Sequence, residues 1–124
     1  MALLQPPPNV YLRYMALIHT VRQSYSAEIV AFHERGRRCL SAYAPDAGCV
    51  RRHNLIVDDM MAAQDRVIDT LNFELQACLV ALSLGRGSED EMLPGSEYSK
   101  DVARRFVDGE YSWAARARLM AAVV

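Results

Sequence analysis

From Val10 to about Arg35, apolar residues recur at intervals of four and three: Tyr14, Ile18, Val21, Tyr25, Ile29 and Phe32. That spacing holds them on one side of a helix roughly 40 Å long, at 1.5 Å rise per residue. Pro6-Pro7-Pro8 is a stiff, non-helical lead, Asn9 suits an N-cap, and Gly36 is placed to end the helix. The same period runs more regularly from about Asn54 to Leu84, through Val57, Met61, Gln64, Ile68, Leu71, Leu75, Cys78 and Leu82. Such a seam packs along another helix, and a polar member such as Gln64 fixes register at some cost in stability. Gly85-Arg86-Gly87 stops it.

Residues 36–52 read as a connection, carrying the turn sequence Ala44-Pro45-Asp46-Ala47-Gly48. After an acidic loop from Ser88 to Gly95, Ser96 is the expected cap of a third helix over 97–122. Tyr98, Val102, Phe106, Trp113, Ala117 and Met120 share one of its faces. Gly109 falls on that face and predicts a kink or a break. No useful period-two alternation and no internal repeat occurs. The pattern predicts one all-α domain over residues 1–124, with three long helices (9–35, 54–84 and 97–122) in an antiparallel, up-down-up bundle.

Size and composition agree with this. A chain of 124 residues, 52% hydrophobic and 23% charged, is long enough for a core that needs no disulfide or metal staple. Three cysteines with no secretory signal suggest a reducing cytoplasm. The lead lacks the basic start of a signal peptide, and no apolar run approaches a membrane span, so no membrane association is expected. Lys100 is the sole lysine among fourteen basic residues. A GC-rich genome explains that most simply. Avoidance of ubiquitin by a protein delivered into or expressed in a host cell is the sharper reading.

The net charge of -1 points to no class of partner, but the distribution of charge does. In an up-down-up bundle Arg35, Arg37, Arg38, Arg51, Arg52 and His53 flank the first connection, and Arg116 and Arg118 return to that end. Glu89, Asp90, Glu91 and Glu97 gather at the other. Arginines near helix C-termini complement the helix dipole, whereas Arg51 and Arg52, at the start of the second helix, do not. The cluster is therefore a candidate surface for anions or nucleic acid, by way of duplex backbone contacts.

Apolar residues also exceed what one seam needs. Between Val10 and Ile18 only Arg13 is polar, and Phe73, Ala77, Val80 and Leu84 form a second stripe on the second helix. A helix that is apolar around most of its girth is buried on several sides. Tyr11, Leu12, Met15, Phe73, Val80 and Leu84 are accordingly the candidate contacts of a homodimer or protein partner.

Signals for chemistry are sparse. His33, Cys39, Cys49 and His53 are zinc-competent residue types within one window, yet their spacing fits no established zinc motif. The cysteines are as readily small apolar groups or loop thiols. No cofactor is expected. Residues Leu55 to Asp65, with Asp58 and Asp59, resemble the aspartate-rich motif of polyprenyl synthases, which binds magnesium diphosphate. The third aspartate is displaced, no second such motif follows, and the chain is too short for that fold. Asp58 and Asp59 then read as favourable charge near a helix start. The architecture is similar to that of small all-helical chorismate mutases, dimers that hold a dicarboxylate between arginines. Arg13, Arg22 and Arg35 lie on the first helix, but that family's lysine and its arginine–glutamate pattern do not align here. No catalytic residues emerge.

Three functional expectations follow. The first is a non-enzymatic helical interaction protein (an adaptor, inhibitor or regulator), as a homodimer. The second is nucleic-acid binding through the arginine-rich end. The third is a small helical enzyme with an anionic substrate.

Overall fold

The computed structural model describes residues 7–42 and 47–109, with side chains described over 7–38 and 48–109. They form α1 (Asn9–Ala42), α2 (Ala47–Ser83), a short 3-10 helix (Glu89–Glu91) and α3 (Glu97–Val107). The three helices pack against each other, and no strand occurs among the described residues. The all-α expectation holds.

Both long helices extend further than expected. α1 runs through Gly36 to Ala42, and α2 begins at Ala47, so most of the predicted connection over 36–52 is helical. A glycine inside a helix costs about 1 kcal/mol against alanine, which is why Gly36 reads as a stop. Its role is tertiary. A methyl group there would overlap the imidazole of His53 on α2, so the bare backbone admits that ring. Asp58 and Asp59 consequently lie well inside α2 rather than near its start, and the dipole argument for them lapses.

Helix ends follow local chemistry. Asn9 is the first residue of α1 rather than its cap; its N–H donates to Oε1 of Glu89 at 2.9 Å. A carboxylate is favourable there because the first turn of a helix has unpaired N–H groups and a positive dipole end. α2 closes with Arg86 N–H to the Ala81 carbonyl at 2.8 Å and Gly85 N–H to Leu82 at 3.0 Å, the paired bonds of a Schellman motif. Ser96 caps α3 as expected, its hydroxyl accepting from Ser99 N–H at 3.1 Å. α3 ends at Val107, with Gly109 at φ +83°. The described helix therefore stops just before Gly109. The expected continuation to 122 lies outside the described residues.

The chain divides into two compact units, Met1–Leu17 with Thr70–Val124, and Ile18–Asp69. In the first, the start of α1, the end of α2 and α3 enclose Val10, Tyr14, Leu71, Leu75, Ala77, Cys78, Ala81, Met92 and Val102. The loop before α3 is tied in as well. Ser88 N–H donates to Tyr98 Oη at 2.7 Å, and Arg13 Nη1 to the Glu89 carbonyl at 2.9 Å. Gly87, at φ +103°, has Met92 Cε and Tyr98 Oη where a Cβ would lie. The second unit consists of the remaining lengths of α1 and α2. Its described buried side chains are Ile18 and Ile68.

Candidate functional site

The buried carboxyl of the first unit, among the described residues, is Glu74, 5% exposed on α2. Tyr14 Oη donates to its Oε1 at 2.5 Å, and Gly95 N–H donates to the same oxygen at 2.8 Å. Cys78 Sγ lies 3.9 Å from the Tyr14 hydroxyl, and Ser99 of α3 is fully buried close by. Burial pushes the Tyr14 phenol far above its ordinary 10.0, and the hydrogen bond to Glu74 adds to this. Burial likewise raises the Cys78 thiol above 9.0. Each buried polar atom described has a partner. The arrangement holds α1, α2 and the α3 cap together, because a carboxyl removed from water must be hydrogen-bonded to persist. Beside it, Thr70, Phe73, Glu74, Lys100, Ala103 and Arg104 line an open depression of about 350 Å³. It brings one arginine, not two, to that carboxylate.

The second unit carries the basic cluster. Arg35, Arg37 and Arg38 on α1 and Arg51 and Arg52 on α2 are all exposed, and His53 is half-buried. The approach of His53 to Gly36 places these two groups on facing stretches of helix. Arg37 pairs with Glu34 at 3.0 Å, and Arg52 Nη2 donates to Cys49 Sγ at 3.2 Å. Arg116 and Arg118 lie outside the described residues. So does the side chain of Cys39, leaving His33, Cys49 and His53 of the zinc-competent set. His53 stacks on Phe32, with ring centroids 5.0 Å apart and planes 7° from parallel. Its Nε2 lies 3.3 Å from His33 Nδ1. No group of three or more metal-ligand side chains is gathered among the described residues.

Of the six expected interface residues, Tyr11, Leu12 and Phe73 are 40%, 50% and 42% exposed. Met15, Val80 and Leu84 are half-buried. Phe73 meets Phe106 of α3 edge to face at 5.6 Å. Sequence reasoning missed six exposed apolar side chains in the second unit, Val30, Val50, Leu55, Ile56, Met61 and Val67. The signal for them was present. At 100° per residue Leu55 falls nearly opposite the α2 seam and Ile56 to one side of it, and Met61, placed on the seam, is 52% exposed.

No helix among the described residues is long and apolar enough to cross a membrane. Compared with protein-family models, curated proteins and solved structures, the chain matches none.

Proposed function

We propose that this is a non-enzymatic helical interaction protein, an adaptor, inhibitor or regulator, that works by presenting helix faces and associates as a homodimer. One observation carries the reading. In the second unit Val30, Val50, Leu55, Ile56, Met61 and Val67 are exposed, while only Ile18 and Ile68 are buried among its described residues. Apolar side chains left in water on helices with so little buried between them gain by association, because removing apolar area from water is favourable. A second copy supplies matching helices and closes the interface on itself by two-fold symmetry. Tyr11, Leu12 and Phe73 are further exposed apolar residues, in the first unit.

The up-down-up course of the helices belongs to the same proposal. In its support, Tyr14 meets Glu74 and Cys78 in one unit, and His33 meets His53 in the other. The partner positions descend along α2 as those on α1 rise.

Sedimentation equilibrium tests the dimer. The wild-type chain is expected to dimerise, and Leu55→Glu with Ile56→Glu to give a monomer of unchanged helix content. A wild-type monomer at all concentrations would sink the proposal.

The facing arginines support a second reading, contact with nucleic-acid backbone. Under it, Arg51→Ala with Arg52→Ala lowers duplex affinity and flattens its salt dependence. Absence of duplex binding at low salt removes it.

A further inference from the structure

We propose that His33 and His53, joined by Cys49, bind a divalent cation of the zinc class. This is independent of the interaction reading and rests on the contact between two imidazoles from different helices. In a tetrahedral site with metal–nitrogen bonds of 2.0–2.1 Å, two coordinating nitrogens stand about 3.3–3.4 Å apart. Nδ1 of His33 and Nε2 of His53 are 3.3 Å apart. The separation already suits a shared cation, and each ring has to turn so that both lone pairs converge on it.

His53 is held for this role. Phe32 stacks on one face of its ring, and the missing side chain of Gly36 provides the space that the imidazole occupies. Restraint of this kind around a ligand is what orients it toward a metal. His33 is exposed, so its ring can turn and an ion can reach the pair from solvent.

The third ligand follows from helix periodicity. Cys49 lies four residues before His53 on α2, and residues at that spacing share a face, as paired ligands do in helical metal motifs. It is half-buried, and its Sγ accepts from Arg52. Because three ligand groups are not gathered beforehand, metal binding requires Cys49 to turn from Arg52 toward His53. Water completes the set.

The surroundings select the cation. Five arginines flank the pair, and the nearby carboxylate of Glu34 is engaged by Arg37. Hard cations such as magnesium require oxygen ligands and find few here. Two imidazoles and a thiolate suit zinc or cobalt(II), and the thiolate offsets part of the local positive charge. The bound ion would clamp α1 to α2 in the unit where, among the described residues, these two helices are the only elements.

The test uses the full chain with its cysteines reduced, titrated with cobalt(II) and with zinc against a chromophoric competitor. One equivalent is expected to bind, with a thiolate-to-cobalt charge-transfer band. His33→Gln and His53→Gln should each weaken binding tenfold or more, Cys49→Ser should remove the band, and His19→Gln should change nothing. The band persisting in Cys49→Ser, or wild-type affinity in His53→Gln, would overturn the assignment. A measurement on the unaltered protein guards against variants that fail to fold. Zinc should raise the thermal midpoint and a chelator reverse the rise, while magnesium has no effect. An unmoved midpoint at saturating zinc overturns the proposal as well.

Discussion

The two units are built from the same pair of helices, yet they solve the problem of burial differently. In the first, α3 and the loop before it supply a third side, and α2 from Leu71 to Ala81 is buried at six of its eleven positions, five of them apolar and the sixth Glu74. In the second, Val21, Tyr25, Ile29 and Phe32 of α1 and Val57 and Gln64 of α2 are only half-buried. The helical period is as regular in one as in the other. Amphipathic patterning therefore selects which face turns inward, while the number of neighbouring elements decides how completely that face leaves water. Most helical stability in proteins comes from such packing rather than from propensity, so the two units should respond unequally to the same insult.

The largest contrast is expected from truncation. Tyr14→Ala removes a fully buried ring and the donor to Glu74, and should cost about 3–5 kcal/mol. Met61→Ala, at a residue half in water, should cost under about 1 kcal/mol. Urea unfolding of both variants measures this. Equal losses would mean that the second unit is covered in solution.

Alkaline pH gives a smaller effect, confined to the first unit. Tyr14 and Cys78 have pKa values raised by burial above 10.0 and 9.0. The unfolded chain therefore releases these protons first, and stability that is complete below about pH 9 falls as pH rises. Each group contributes at most about 1.4 kcal/mol per pH unit once its unfolded form has ionised. Tyr14→Phe with Cys78→Ser should flatten the decline. A slope unchanged in that double variant would show that other groups drive it.

The smallest effect belongs to the surface of α3. Asp101 pairs with Arg105 at 3.1 Å and Arg104 at 3.7 Å, all substantially exposed. Exposed pairs contribute little. Asp101→Asn should change the thermal midpoint by an amount equivalent to about 0.5 kcal/mol. A loss several times larger would give α3 an electrostatic role in closing the first unit.

Several features were legible in the residues. The faces of α1 and α2, the cap at Ser96 and the turn at Gly109 all follow from local periodicity and from side chains that bond their own backbone. Gly36 was misread because local propensity argues for a stop, whereas the contact that gives it a purpose, His53, lies seventeen positions along and on another helix. Asn9 was misread for a related reason, since the group that meets its N–H is Glu89, from a loop eighty residues away. The buried cluster of Tyr14, Glu74, Cys78 and Ser99 left no mark at all. A single glutamate within a helix looks like surface until the elements that enclose it are known.

What the chain order determined by itself is the set of helices and the side of each that avoids water, because a 3.6-residue period acts over a few neighbouring positions. Only the tertiary structure decided where that avoidance succeeds, which carboxyl is enclosed and which two imidazoles meet. Those outcomes depend on groups far apart in sequence arriving at one place, and no local pattern encodes the arrival.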